Sequence, residues 1–282
     1  MKLVNNTAEL YIPNNKNKEE ALSQTTHMSI AAHHDDIEIM AYHGIEQCFQ
    51  SKTNHFTGVV VTNGSGSARD NLYKDYSDEE MILVRKKEQK KAAHLGEFSA
   101  LFLLDYQSKE IKSKTNKDVV KELAILLDQT RPKILYTHNL ADKHDTHVGV
   151  AVKTINAIRT LPLDVRPNKV YGCEVWRALD WINDNEKELL DVSNHPNLAA
   201  SLVEIFDSQI IGGKRYDSAT IGRRLANATF SSSHEIDASN AVTYAMDLTP
   251  LIEDDNLDIL EYVVSYIERF KNDVQCKIQN VL

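Results

Sequence analysis

The stretch SIAAHHDDIEIM, residues 29–40, joins a short apolar run to four consecutive titratable side chains. Those four residues are His33, His34, Asp35 and Asp36. The run that precedes them, HMSIAA (27–32), predicts a buried strand, and the segment that follows predicts a helix. Because buried polar groups without partners destabilise a core, four of them at the end of a strand indicate a functional role.

The same alternation of apolar runs and helical patterns continues along the chain. Further strands are predicted at residues 55–64, 100–106, 133–138 and 169–176, with another possible strand at 241–250. One intervening helix is marked at both ends, since Ser77 and Glu80 can form a capping box and Gly96 follows the last turn. Strands with little alternation, separated by helices, predict a Rossmann-like α/β fold with a mainly parallel sheet flanked by helices. An active site is then expected at the carboxyl edge of the strands.

The length and composition of the chain limit the classes of protein to which it can belong. The chain has 282 residues, 26% of them charged, and a net charge of −9. A negative net charge does not favour binding to nucleic acid, which requires a basic surface. No apolar run predicts a membrane span or a signal peptide, so a cytoplasmic location is expected. We expect a polar leader over residues 1–26 and a single domain over 27–282, with a C-terminal elaboration from about residue 211.

The HHDD stretch has the chemistry of half a metal site. Imidazole and carboxylate are the zinc ligands used where thiolates are absent, and the three cysteines are too widely spaced for a CxxC site. His33 and Asp36 could point at one ion, which leaves Asp35 free to act as a base on the attacking water. Alternatively, Asp35 or Asp36 caps the next helix with Glu38 as the capping partner. At this stretch both interpretations stay open.

A second cluster, DKHDTHVGVA, occupies residues 142–151. His144 and His147 are three positions apart, which brings them to one face of a first helical turn. His147 can complete a two-histidine, one-aspartate ligand set, and His144 can serve as a general acid or an oxyanion donor. Asp145 either orients His144 or caps the helix. An isolated HxxH pair says little, but together with HHDD on the same sheet edge it favours a metal site.

Other side chains near this edge are candidates for contacting a substrate. Arg69 and Arg85 could bind sugar hydroxyls or a phosphate, or lie on the surface. Arg85 and Glu88 are one helical turn apart and could form a surface ion pair or a substrate clamp. Trp176 ends a predicted strand, where it either offers a stacking platform for a sugar or packs in the core.

Several of these segments resemble, in order, the motifs of the PIG-L/LmbE-like N-acetylglucosaminyl deacetylase family. AAHHDDIE resembles the AHPDDE signature, VVVTNGSGS the TxGexG turn, and RKKEQKKAAHLG the RxxEaxxAaxxLG helix. DKHDTHVGVA resembles the second metal motif, and FDSQ at 206–209 resembles a later SQ element. The resemblance spans residues 27 to 210 and implies a Rossmann-like α/β fold, in agreement with the strand and helix pattern.

The resemblance also implies an activity, which is metal-dependent removal of an N-acetyl group from an N-acetylglucosamine-type sugar. It places the Zn²⁺ ligands at His33, Asp36 and His147. It gives Asp35 the role of general base, and His144 that of stabilising the oxyanion or protonating the leaving amine. His34 stands where the family has proline, and as a bulky polar group at the cleft it is expected to contact substrate.

The expected partner is an amino-sugar conjugate or a short oligosaccharide. Fe²⁺ could replace Zn²⁺ in the same site, and another amide could replace the acetamide. Two-histidine, one-carboxylate Fe²⁺ oxygenases are disfavoured because they usually occupy all-β barrels. A non-catalytic carbohydrate- or nucleotide-binding module is the alternative from a different class. The region after residue 211 is expected to shape the cleft or to form an interface between copies of the chain.

Overall fold

The computed structural model describes residues 2–232 and 234–282, and within them the chain forms eight strands and twelve α-helices. The strands are β1 (Glu9–Tyr11), β2 (His27–Ala31), β3 (Phe56–Thr62), β4 (Ala100–Tyr106), β5 (Ile134–His138), β6 (Lys169–Cys173), β7 (Glu188–Asp191) and β8 (Val242–Asp247). The first six helices are α1 (Lys18–Ser23), α2 (Asp36–Met40), α3 (Tyr42–Cys48), α4 (Asp78–Leu95), α5 (Ser108–Lys112) and α6 (Asp118–Thr130). The others are α7 (Asp145–Arg159), α8 (Pro196–Glu204), α9 (Asp207–Ile210), α10 (Tyr216–Phe230), α11 (Pro250–Glu253) and α12 (Ile259–Gln279).

All the strands join one sheet in the order β1-β4-β3-β2-β5-β6-β8-β7. The central five strands, from β4 to β6, are parallel, whereas β1, β7 and β8 pair antiparallel at the two ends. The predicted Rossmann-like, mainly parallel sheet is therefore confirmed. The chain runs outward from β2 to β4 and then crosses back to β5 beside β2. In such sheets the cleft for a ligand opens at this reversal, beyond the carboxyl ends of the strands.

The central strands are buried on both faces. In β3 the side chains of Val59 and Val61 join the apolar cluster on one face of the sheet, and Val60 between them joins the cluster on the other. Both clusters are covered by helices, so neighbouring positions along a strand must all be apolar. This explains why the strand sequences show runs such as VVV rather than a polar–apolar alternation.

The polar edge of the sheet depends on α4, whose ends follow the sequence prediction. Ser77 accepts a hydrogen bond from the backbone of Glu80 at 3.2 Å, and the Glu80 side chain accepts one from Ser77 N–H at 2.8 Å. Gly96 is the residue at the other end. The helix therefore begins at a fixed point, and this sets which of its side chains face the cleft.

Residues 2–26 contain more regular structure than a polar leader would. They contain β1, which pairs with β4, and α1. The backbone N–H groups of Val4 and Asn5 also donate to the carboxylate of Glu122 on α6. The sequence pattern missed β1 because an edge strand of three residues leaves no periodicity to detect. Within the described ranges, no helix combines the length and the apolar character needed to cross a membrane.

Candidate active site

The HHDD stretch forms a tight turn between β2 and α2. Asp35 adopts a φ of 91°, which is strained for a residue other than glycine. The turn brings His33 back toward Asp36, so that Asp36 Oδ2 accepts from His33 N–H at 2.7 Å and lies 3.3 Å from His33 Nδ1. The Asp35 side chain makes no capping hydrogen bond to α2, so helix capping does not explain this residue.

His147 brings a third donor atom to the same point. It lies in the first turn of α7, and its Nε2 is 3.1 Å from His33 Nδ1 and 3.4 Å from Asp36 Oδ2. Ligand atoms about 2.0–2.1 Å from a tetrahedral Zn²⁺ lie roughly 3.3 Å apart, so the sides of this triangle have the lengths that such an ion requires. The structure thus brings together the three residues predicted as ligands, and their donor set fits a divalent cation.

Asp142 fixes the orientation of His147, and sequence reasoning missed it. Its Oδ2 lies 3.1 Å from His147 Nδ1. A proton on Nδ1 satisfies this carboxylate and leaves the Nε2 lone pair directed at His33 and Asp36, as in the carboxylate–histidine pairs of metal sites. Although burial opposes the change, Asp36 and Asp142 together raise the pKa of His147. The sequence did contain a signal for Asp142, because it is the acidic residue at the start of the histidine-containing segment DKHDTH.

His138, at the end of β5, is the other buried histidine at this point. Its Nε2 lies 3.5 Å from Asp36 Oδ2, and its ring stacks on that of His147 at a centroid distance of 3.9 Å. However, His138 Nε2 accepts a hydrogen bond from Ala32 N–H at 2.8 Å. This lone pair is therefore already used, and we assign His138 to packing behind His147 rather than to the ligand set.

Asp35 lies beside the ligand triangle, with its carboxylate lining the cleft and only 6% of the residue exposed. Its Oδ2 is 3.6 Å from the guanidinium of Arg85. Burial raises the pKa of Asp35 to about 7, an effect that Arg85 opposes and the neighbouring Asp36 reinforces. A carboxylate in this environment exchanges a proton near neutral pH, which suits a general base.

Arg85 lines the cleft, and its predicted contact with substrate stays a prediction, although its guanidinium is also held by protein groups. It is 2% exposed, and its guanidinium donates to the backbone carbonyl of His34 and to Ser208 Oγ. Glu88, one turn later, accepts from Ser208 N–H at 2.8 Å and Ser208 Oγ at 2.6 Å. The prediction of a surface ion pair between Arg85 and Glu88 is therefore wrong, because both side chains are buried. These contacts join α4 to the start of α9, and they hold the Arg85 guanidinium beside the Asp35 carboxylate.

Two predictions of substrate contact, for His34 and Arg69, need correction. The His34 side chain is fully buried and packs against Gly64, where a Cβ atom would lie 2.9 Å from His34 Nδ1. Arg69 donates to the backbone carbonyls of Ser65 and Tyr76 and pairs with Asp78, so it stabilises the loop after β3. Neither side chain lines the cleft. His34 is enclosed beside the loop after β3, and Arg69 uses its guanidinium for contacts with Ser65, Tyr76 and Asp78.

His144 lines the cleft beside the ligand triangle and is the residue that caps α7. Its Nδ1 accepts from Thr146 N–H at 3.3 Å, which leaves Nε2 as the nitrogen that carries the proton in the neutral ring. Burial and the nearby His147 and His33 lower the pKa of His144, so the neutral donor form is favoured. Asp145, predicted to cap this helix or to orient His144, is instead its exposed first residue.

The cleft around these groups has a volume of about 290 Å³. The loop at residues 63–68 forms one wall, and Trp176 and Tyr216 form another, with their rings edge to face at 5.6 Å. The ammonium group of Lys143 lies 4.7 Å from the centre of the Trp176 ring. Trp176 therefore lies in the wall of the cleft, where its interpretation as a stacking platform requires it to be. Tyr216 was missed because it lies beyond the segment with recognisable motifs.

Comparison with known proteins gives one family match and several structural neighbours. The family model described as PIG-L, GlcNAc-PI de-N-acetylase, matches residues 28–158. No curated protein sequence matches the chain. The N,N'-diacetylchitobiose deacetylase from Pyrococcus horikoshii superposes with a TM-score of 0.63 at 16% identity, covering 82% of this chain and 86% of that one.

Two other solved structures show how widely the fold is used. The 4-carboxy-2-hydroxymuconate hydratase from Pseudomonas putida has a TM-score of 0.62 at 15% identity, over 79% of this chain and 96% of that one. The deacetylase of the A40926 pseudoaglycone has a TM-score of 0.58 at 13% identity, over 79% and 97% of the two chains. These likenesses establish the fold. Because one neighbour is a hydratase, the activity must be argued from the site.

Proposed function

Residues 28–158 match the model of the PIG-L family, and on this premise we propose that the protein is a metal-dependent hydrolase that removes the N-acetyl group from an N-acetylglucosamine-type sugar or glycoconjugate. The observation that carries the proposal is the convergence of His33, Asp36 and His147 beside the carboxylate of Asp35. A binding module has no need for a buried carboxylate of raised pKa next to a complete ligand set.

His33, Asp36 and His147 would hold the cation, for which we propose Zn²⁺, with Fe²⁺ as the alternative. When bound, such an ion supplies a water of lowered pKa and a positive charge for the developing oxyanion. His33 and His147 would contribute nitrogen donors, and Asp36 would contribute the negative charge, since the histidines around it hold the pKa of its carboxyl low against the effect of burial. The remaining steps use the other residues of the cleft.

Asp35 accepts a proton as water attacks the acetamide carbonyl. His144, through its Nε2–H group, donates a hydrogen bond to the carbonyl oxygen as negative charge develops on it. When the carbon–nitrogen bond breaks, the protonated Asp35 returns its proton to the departing amine. Acetate and the free amino sugar are the products. Arg85 holds the Asp35 carboxylate in place, because its own position is fixed by His34 and Ser208.

The walls of the cleft support a sugar as the substrate. Trp176 and Tyr216 give an aromatic surface for the apolar face of a pyranose ring, and the loop at residues 63–68 presents hydroxyl and backbone groups for its polar edge. An amino-sugar conjugate or short oligosaccharide is therefore the proposed partner. We further propose that residues 27–282 work as one domain together with β1 and α1, which join the same sheet and its covering helices, and that the protein acts in the cytoplasm.

The proposal is tested by acetate release from a panel of N-acetylated sugars, including N-acetylglucosamine conjugates and chito-oligosaccharides. The matched control is Asp35→Asn, which keeps the shape of the side chain and should keep the metal while losing activity. Acetate release also separates hydrolysis from hydration, which yields none. If the metal-loaded protein releases acetate from no member of the panel, deacetylation of amino sugars is wrong.

A further inference from the structure

The C-terminal helix α12 carries two apolar stripes, and the body of the protein covers only one of them. The covered stripe includes Val263, which is buried, together with Tyr262 and Tyr266. Tyr262 also donates a hydrogen bond to the backbone carbonyl of Asp247 at 2.7 Å. The helix is thus anchored to the sheet along one side, and this anchoring determines which side chains face outward.

The second stripe has the spacing of a coiled-coil seam. Its positions are Leu260, Val264, Ile267, Lys271, Val274 and Ile278. Successive members alternate between four and three residues apart, which is the a/d pattern of a heptad repeat. The five apolar members are all exposed, from 38% for Val274 to 72% for Leu260. An exposed apolar stripe running the length of a helix normally marks an interaction surface.

We propose that this stripe pairs with the same stripe of a second copy, in an antiparallel two-helix seam. The branched residues Val264 and Ile278 occupy a positions, as two-stranded seams favour, and the one polar member, Lys271, is the kind of interruption that specifies register. In a parallel pair the two Lys271 ammonium groups would meet each other in the seam. In an antiparallel pair they avoid this repulsion.

One antiparallel register pairs all six positions. It places Leu260 of one copy opposite Ile278 of the other, and Val264 of one copy opposite Val274 of the other. Lys271 then lies opposite Ile267 of the second copy, where Glu268 of that copy adds to the opposite charge of its own Glu268, 2.9 Å from the Lys271 ammonium group. Because the register is symmetric, each charged contact and each apolar contact occurs twice.

The charges of α12 disfavour a membrane surface as the occupant. Glu261, Glu268 and Asp273 balance Arg269, Lys271 and Lys277 along the helix. A helix that lies on a membrane usually has a basic polar face, which attracts it to anionic lipid. The balanced charges instead suit a partner with the same mixture of signs, and a second copy of the helix provides one.

The test is sedimentation of the full-length protein over a concentration series. Wild type should dimerise below about 100 μM, and Ile267→Glu should abolish the dimer. Leu163→Glu, at a site 69% exposed outside α12, is the matched control and should leave dimerisation unchanged. Lys271→Leu should tighten the dimer by about tenfold or more, because it removes a desolvated charge. Circular dichroism checks that each variant is folded.

Orientation is tested with single cysteines in a Cys276→Ser background, since Cys276 is the exposed native thiol. An antiparallel seam predicts that Val264→Cys and Val274→Cys cross-link when mixed, whereas neither variant cross-links with itself. Self-cross-linking of each variant alone would overturn the antiparallel arrangement. A wild type that stays monomeric throughout the series would overturn pairing itself, as would binding of α12 to anionic vesicles that Ile267→Glu abolishes.

Discussion

His33 Nδ1 and His147 Nε2 lie 3.1 Å apart, although 114 residues separate them along the chain. His33 follows the end of β2 and His147 lies in the first turn of α7, after β5, so the contact spans the point where the order of the parallel strands reverses. Asp36 Oδ2 completes the triangle. A divalent cation at the centre of this triangle would be bound by all three atoms at once, and this proposal leads to the predictions below.

The first prediction concerns Asp142, which orients His147. Asp142→Asn should weaken metal binding by about 10–100-fold, because the amide no longer balances the proton on His147 Nδ1. Competition with a chromogenic chelator measures the affinity. Asp145→Asn is the matched control, since Asp145 is exposed three positions away and should bind metal like wild type. Equal affinities for the two variants would remove Asp142 from the site.

The second prediction concerns pH. A general base works only when it is ionised, so kcat/KM should rise with pH through the pKa of Asp35 and be lost as pH falls below it. Burial raises this pKa to about 7. A cation held by the neighbouring ligands favours the carboxylate, so in the metal-loaded enzyme the rise should lie at or below about pH 7. A rate that decreases with pH over this range would contradict the role of Asp35.

The third prediction separates His144 from the metal ligands. His144→Ala should lower kcat by about 10²–10³, the effect of losing one donor to an oxyanion. Its metal content should stay that of wild type, because the three proposed ligands are intact. Steady-state kinetics and elemental analysis on the same preparation measure both quantities. Loss of metal from this variant would make His144 a ligand instead.

The fourth prediction concerns the buried contact between Glu88 and Ser208. Ser208→Ala should lower the free energy of unfolding by about 1–3 kcal/mol, because one carboxylate oxygen of Glu88 loses its hydroxyl partner in a buried site. Urea denaturation measures the change. Ser23→Ala, at an exposed serine on α1, should change the stability by no more than about 0.5 kcal/mol. Similar effects for both variants would mean that the contact contributes little.

Local patterns in the sequence predict much of the fold. The apolar runs locate the central strands because those strands are buried on both faces, and Ser77 with Glu80 marks the start of α4 because a capping box is a local interaction. The edge strands β1 and β7 were missed, since they have three and four residues and little periodicity. The prediction of a polar leader over residues 1–26 did not include β1 or α1, which both lie in that segment.

The site was only partly predictable for a different reason. His33, Asp36 and His147 share one sheet edge, which strand order alone can suggest. The burial of His34 depends on the close approach of Gly64, and the role of Arg85 depends on Ser208, more than 120 residues later. Such contacts between distant segments leave no periodic signal. Tyr216 was missed on the same grounds, because nothing near it in the chain marks a cleft.

The most direct test of the central claim is a metal titration of the chelator-treated protein with acetate release as the readout. The metal-free protein should release no acetate from an N-acetylated amino sugar, and activity should return in proportion to added Zn²⁺ or Fe²⁺ until one equivalent is bound. The Asp35→Asn variant should bind the same single equivalent and remain inactive. Full activity in the metal-free protein, or in metal-loaded Asp35→Asn, would contradict the account.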